Sequence, residues 1–151
     1  MNHFLTVPLK DLPLYAGFVQ PIICNELTLA GLSKQVHFQW KVYPCAVVLY
    51  TNAFDTDEYY LDGNKHTDAI CPPDTILPAY QVKDMEQMIG DYKLYCEGGL
   101  YKLVFSHHTT TASVTAERLP DAFALAVVYL IYGKAICLDK ANSLLLKTAA
   151  A

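Results

Sequence analysis

The order of hydrophobic and polar positions is clearest in the second half of this 151-residue chain. Residues 82–89 carry apolar side chains at helical spacing, and residues 92–105 alternate between apolar and polar positions on both sides of Gly98 and Gly99. A pair of glycines permits the positive φ angles that a two-residue hairpin turn requires. This order predicts a short helix followed by a β-hairpin.

The first of these elements has recognisable start signals. Tyr80 and Met85 have the spacing of a hydrophobic staple around a helix that begins at Val82, and Asp84 adds negative charge to its first turn. These signals favour a helix start at this position.

A second helix is predicted over residues 120–132, which begin with proline and end before Gly133. Its apolar side chains extend most of the way around the helix, and Tyr129 and Tyr132 are among them. Such a helix is either central in the fold or half-covered by a partner subunit. Between the hairpin and this helix, residues 109–115 are rich in β-prone side chains, which predicts a third strand.

The first half predicts two paired strands. Residues 36–42 alternate apolar and polar positions, and residues 46–51 form a continuous β-branched and aromatic run that is typical of a more deeply buried neighbour. Prolines among residues 1–24 favour extended segments and turns there. Between these regions we expect a short helix capped by Asn25 and continuing to Lys34.

An acidic, tyrosine-rich segment near residues 55–75 allows two interpretations. It is either a long functional loop or a hairpin with strands near residues 59–61 and 67–70, and we favour the hairpin. Residues 135–146 are expected to add a short strand and a final helical turn.

Together these elements predict a single α+β domain over residues 1–151, with an antiparallel sheet packed against two or three helices. The expected strands lie near residues 36–42, 46–51, 92–97, 100–106 and 110–115, and the principal helices near residues 82–89 and 120–132.

Composition supports a folded chain and argues against several classes of function. Hydrophobic residues make up 53% and charged residues 17%, with a mean hydropathy of +0.19, which argues against intrinsic disorder. The net charge of −4 and a single arginine, Arg118, argue against nucleic-acid binding. The uninterrupted apolar run from Ala122 to Tyr132 is too short to cross a bilayer, so no membrane span is expected.

The N-terminal sequence and the cysteines point to the cytoplasm. No positively charged start leads into a long apolar stretch, so a secretory signal is not indicated. The five cysteines are far apart and form no CxxC pair, which favours free thiols in a reducing compartment. We therefore expect a cytoplasmic protein.

Candidate catalytic and metal-binding side chains are few. His107 and His108 are adjacent, but neighbours on an extended segment point to opposite faces, so they do not readily bind one metal ion. Cys96 with either histidine is the pair that an enzyme could use, a thiolate beside a base. Because Cys96 alternates with Tyr92 and Leu94, a buried small side chain is the simpler interpretation. No common catalytic signature is present, so we predict no catalytic residue, no metal site and no cofactor.

Aromatic residues offer anchors for a partner. The chain has eleven tyrosines, and such side chains bury a large area with few torsions. Five of them are predicted to bind a partner because they are hard to place wholly inside the fold: Tyr59, Tyr60, Tyr80, Tyr129 and Tyr132.

Two segments of the second half carry a resemblance to a group of known sequences. LPAYQVKDMEQMIGDYKLYCEGGLYKLVF (77–105) followed by LPDAFALAVVYLIYGKAI (119–136) resembles uncharacterised small proteins of bacterial phages and integrated mobile elements. In those proteins an extended segment, a short helix, a polar hairpin and a closing helix occur in this order. The similarity covers roughly the last 60 residues and brings no activity or site residue with it. It implies an accessory or host-interaction protein.

The sequence therefore favours a non-enzymatic protein-interaction or accessory protein that self-associates, with a host or phage protein as a further candidate partner. Two alternatives stay open. One is a small-ligand-binding protein or sponge with a tyrosine-lined pocket, and the other is a hydrolase-type enzyme using Cys96 with His107 or His108.

Overall fold

The chain combines four helices and eight strands within the residues that the structure describes. The computed structural model describes residues 17–33, 36, 38–42, 47–51, 59–61, 64–66 and 75–150. In chain order the elements are α1 (Pro21–Leu29), β1 (Phe38–Val42), β2 (Val47–Thr51), β3 (Tyr59–Leu61), β4 (Asn64–His66), β5 (Thr75–Pro78), α2 (Val82–Glu86), β6 (Tyr92–Glu97), β7 (Leu100–His107), β8 (Thr110–Ala116), α3 (Leu119–Tyr132) and α4 (Leu138–Ala150).

The strands form two antiparallel sheets. One has five strands in the order β4-β3-β2-β1-β5, and the other has three in the order β6-β7-β8. The predicted α+β class is confirmed, as is the pairing of β1 with β2. The expectation that strands of both halves share one sheet is wrong, because β1 pairs on its other side with β5 instead of with the C-terminal hairpin.

Several predicted elements of the second half are confirmed. The helix after Gln81, the hairpin around Gly98 and Gly99, the third strand and the apolar helix are all present. In α2 the backbone N–H of Gln81 donates to the buried carboxylate of Asp84 at 2.8 Å. This bond satisfies one of the unpaired donors at the helix start.

Four features of the remaining elements differ from the sequence-based expectations or were not expected at all. The first helix begins at Pro21, with proline in its first turn, and not at Asn25. The segment 75–78 forms β5, an edge strand, where a terminal proline costs no ladder hydrogen bond. The segment after residue 135 forms the long helix α4 without a strand.

The fourth concerns the acidic segment, where an antiparallel pair is present but its second strand is β4. The expected strand at 67–70 lies outside the described residues.

Backbone groups of Val19, which lies shortly before the start of α1, form hydrogen bonds inside the core. Its carbonyl accepts hydrogen bonds from the indole of Trp40 at 2.9 Å and the thiol of Cys24 at 3.3 Å, and its N–H donates to the carbonyl of Tyr80 at 2.9 Å. All four side chains are 0–1% exposed. Polar groups in this part of the core are therefore paired, as burial requires.

Helix α3 links the two halves of the fold. It packs on β7 and β8 and also contacts α1 and α2. Nine of its fourteen residues are buried, so the side that remains exposed is narrow. Among the described residues, no helix has both the length and the apolar character required to cross a membrane.

Candidate functional site

Strands β7 and β8 lie beneath α3, and β7 pairs on its other side with β6. The register of the hairpin pairs Tyr92 with Phe105, Leu94 with Leu103, and Cys96 with Tyr101. Leu103 and Phe105 are buried at 0% and 2% exposure. Residues of β7 at alternate positions therefore face the helix, and those between them face outward.

One side of α3 remains uncovered. Leu125 and Val128 are partly buried, whereas Tyr129 and Tyr132 are 44% and 61% exposed. Their spacing of three, four and seven residues places all four on one side of the helix. We call these residues, Leu125, Val128, Tyr129 and Tyr132, the tyrosine face.

The tyrosine face turns away from β6. Phe123 contacts the ring of Tyr92 on β6, with ring centroids 5.2 Å apart. Nine residues separate Phe123 from Tyr132, which at 3.6 residues per turn places the two on opposite sides of the helix. Since α3 lies over β7 and β8, the exposed tyrosines are on the side of the β8 edge.

Tyr129 is fixed in place by the sheet beneath it. Its ring packs edge-on against Phe105 and His107, with centroid separations of 5.6 and 5.0 Å. Aromatic pairs of this geometry stabilise beyond the area they bury. Tyr129 is thus a rigid, half-exposed anchor, and Tyr132, one turn further along, is the more exposed of the two.

The two adjacent histidines lie together at the C-terminal end of α3. Their ring centroids are 4.7 Å apart, contrary to the expectation that they point to opposite faces. The physical reason is the backbone of His108, whose φ of 55° reverses the chain at the β7–β8 turn. Nε2 of His108 lies 3.0 Å from the carbonyl oxygen of Gly133, at the end of the helix.

Nε2 of His107 is the one buried side-chain nitrogen or oxygen without a hydrogen-bond partner among the described residues. It points at Gly133, where an added Cβ would collide with it. The described residues contain no group of three or more His, Cys, Asp or Glu side chains that could hold a metal ion. The histidine pair contacts the C-terminal end of α3, and His107 packs against Tyr129.

The hairpin register separates the cysteine and histidines of the hydrolase hypothesis. Cys96 is opposite Tyr101, whereas His107 lies six residues further along β7, about 20 Å away at strand spacing. A hydrogen bond between this thiol and either histidine is excluded by that distance. Cys96 is also exposed instead of buried, because it lies on β6, whereas α3 packs on β7 and β8.

The structure divides the five predicted tyrosines. Tyr129 and Tyr132 are on the tyrosine face, and Tyr59 and Tyr60 lie in β3 between β2 and β4. Tyr80 is fully buried, and its hydroxyl donates to the carbonyl of Ser33 at 2.7 Å. It belongs to the core, so its assignment to a partner-binding surface is corrected.

The remaining candidate reactive groups are the other cysteines and the single arginine. Cys24 is a buried free thiol, Cys137 is an exposed one, and Cys45 and Cys71 lie outside the described residues. Arg118 forms an ion pair with Asp121 at 3.1 Å and its side chain is only 12% exposed. The single arginine is therefore engaged within the fold.

Sequence reasoning missed the free edge of β8. In the three-stranded sheet β8 pairs with β7 on one side, and no described strand pairs with its other side. The strand reads TTASVTA, without charge or proline. Natural edge strands usually carry charged residues or proline, which keep other strands from pairing with them. The absence of both from residues 110–116 was therefore a signal that the sequence already contained.

Comparison of the chain with protein-family models, with curated proteins and with solved structures gives no match.

Proposed function

We propose that this chain is a non-catalytic protein-interaction protein that associates with a second copy of itself through the tyrosine face of α3. The observation that carries the proposal is the exposure of Tyr129 and Tyr132 on a helix whose other residues are buried or partly buried. Tyrosine is enriched among the interface residues that contribute most to the binding free energy, since its side chain buries a large area at low entropic cost.

Two further observations support a binding role. Tyr129 is held by the rings of Phe105 and His107, so little ordering would be required on association. The separation of Cys96 from the histidines removes the one nucleophile and base pair that the sequence offered.

A place in the cytoplasm and an accessory role in a phage or mobile element complete the proposal. They rest on composition and on the resemblance of residues 77–105 and 119–136.

Sedimentation velocity over a range of protein concentrations tests the proposal. We expect the wild-type chain to dimerise and Tyr132→Ser to raise the dimer dissociation constant by about tenfold or more, as truncation of an interface anchor does. Tyr95→Ser is the matched control, because Tyr95 is 44% exposed on β6, away from α3. Its dissociation constant should stay within about twofold of the wild type. A wild-type chain that is monomeric at every concentration would refute the proposal.

A further inference from the structure

We propose that two copies of this chain pair along β8, which joins their three-stranded sheets into one continuous six-stranded antiparallel sheet with a two-fold axis at Ser113. This inference rests on the proposed self-association and specifies its geometry. The arguments come from the chemistry of the edge, the symmetry of the strand and the position of α3.

The edge of β8 is regular and unprotected. It pairs with β7 over seven consecutive residues without a bulge, from Thr110 opposite His107 to Ala116 opposite Tyr101. The other edge of the same sheet, β6, carries Lys93 and Glu97. Charges, prolines and bulges are the devices that keep edges from pairing, and β8 has none of them.

The hairpin geometry identifies the free backbone groups. In a two-residue hairpin the pair that flanks the loop, here His107 and Thr110, exchanges backbone hydrogen bonds. Every second residue of β8 therefore directs its N–H and C=O toward β7. The intervening residues Thr111, Ser113 and Thr115 direct theirs to the open edge.

The strand is nearly symmetric about Ser113. An antiparallel copy places Ser113 opposite Ser113 of the partner subunit, and Thr111 opposite Thr115 of the partner subunit. The Ser113 pair and the two symmetry-related pairs of Thr111 with Thr115 supply about six backbone hydrogen bonds. Threonine pairs across antiparallel strands stabilise a sheet, and the largest side chain of β8 itself is Val114.

The position of α3 fits the same two-fold axis. A helix over β7 and β8 has its axis about one strand spacing from a new β8–β8 junction. Two such helices on the same side of the joined sheet lie about 10 Å apart, the separation at which helices pack. Because the tyrosine face is on the β8 side, Tyr132 of each subunit turns toward the other helix.

Charge substitutions at the axis provide the test. In the Ser113→Lys variant the two-fold axis places like charges directly opposite each other, so we expect the dimer dissociation constant to rise about tenfold or more. Ser113→Asp should act in the same way. An equimolar mixture of the two variants should form a heterodimer, because the axis pairs position 113 with itself. Ser106→Lys is the matched control, since Ser106 is an exposed serine on the same outer face of the inner strand β7.

Native mass spectrometry of each variant and of the mixture distinguishes the outcomes, with circular dichroism to confirm folding. Dissociation of both single variants together with recovery in the mixture supports the pairing. A Ser113→Lys protein that dimerises as well as the wild type overturns the pairing and leaves self-association standing. A wild-type chain that is always monomeric overturns both proposals. If Ser113→Lys fails to fold, the double variant Thr111→Lys/Thr115→Lys places like charges opposite each other in both flanking pairs, and its dimerisation at wild-type strength overturns the pairing equally.

Discussion

Gly133 is required for space and not for backbone conformation. Its φ of −80° suits any residue, whereas Lys134 directly after it has a φ of 58°. A Cβ at Gly133 would occupy the position of Nε2 of His107, and that ring is held between Tyr129 and His108. The ring therefore has little freedom to move aside.

Gly133→Ala should lower the free energy of unfolding by about 1–3 kcal/mol through overpacking. In a His107→Ala background the same change should be neutral or should stabilise by about 0.5 kcal/mol, because alanine reduces the entropy of the unfolded chain. Urea denaturation of the four chains measures both effects. Equal losses in the two backgrounds would show that the cost arises elsewhere.

A second prediction at the residue scale concerns alkaline pH. Burial raises the pKa of the Cys24 thiol from 9.0 to about 12 and also raises the pKa of Tyr80 above 10.0. The folded state thus holds these protons more tightly than the unfolded state. Stability that is complete below about pH 9 is then lost as pH rises toward 12, by up to about 1.4 kcal/mol per pH unit for each group.

Denaturation of the wild type and of Cys24→Ala from about pH 8 to about pH 10.5 tests this linkage. The variant should lose stability less steeply above about pH 9, although cavity formation lowers its stability throughout. Parallel curves for the two proteins would argue against a raised thiol pKa.

At the scale of elements, Asp121 connects the starts of α1 and α3. Its carboxylate is 2% exposed and accepts from the backbone N–H of Gln20 at 2.9 Å, the amide of Gln20 at 2.7 Å and the guanidinium of Arg118 at 3.1 Å. Both helix N-termini carry partial positive charge, which favours a carboxylate between them. A charge in this position is stable only while its partners remain.

Asp121→Asn should therefore lower the free energy of unfolding by about 3 kcal/mol, since Arg118 loses its counter-ion in a largely buried setting. Asp139→Asn is the matched control, because Asp139 is exposed in the first turn of α4 and should cost less than about 1 kcal/mol. Chemical denaturation compares the two. A similar small loss for both would mean that the contact between α1 and α3 contributes little.

The contact between α1 and α3 shows why sequence-based prediction succeeded for some elements and failed for others. The hairpin, α2 and α3 are specified by glycines, a staple and a proline within a few residues, so their local signals suffice. The start of α1 depends on Asp121, 101 residues away from Gln20. The division of the strands into two sheets likewise depends on β5, a short segment that acquires its strand conformation from its pairing with β1.

For the candidate site, too, sequence-based prediction recovered what local patterns specify and missed what depends on the folded backbone. The exposure of Tyr129 and Tyr132 follows from the excess of apolar residues around α3, which the sequence displays. The staple position of Tyr80 already indicated packing against Met85, and both are fully buried. The approach of His107 to His108 required a positive φ at a residue other than glycine, which is an uncommon conformation.

At the scale of the whole molecule, the uncovered features share one side. The β8 edge and the tyrosine face are neighbours, while residues of both sheets, α1 and α3 belong to one hydrophobic core in which the polar groups near Val19 are paired. A dimer formed through β8 and α3 would therefore add to a fold that is already stable in each subunit. Association then stabilises the folded state by mass action, to an extent that depends on protein concentration.

Unfolding of such a dimer should depend on protein concentration. A hundredfold dilution, within the range where the dimer is populated, should lower the thermal midpoint by about 5 °C for a chain of this size. The Ser113→Lys variant should unfold at a midpoint that does not change with dilution, because its monomer keeps the same core. Calorimetry of both proteins at matched concentrations measures the difference. A wild-type midpoint as independent of concentration as that of the variant would mean that the folded chain unfolds as a monomer.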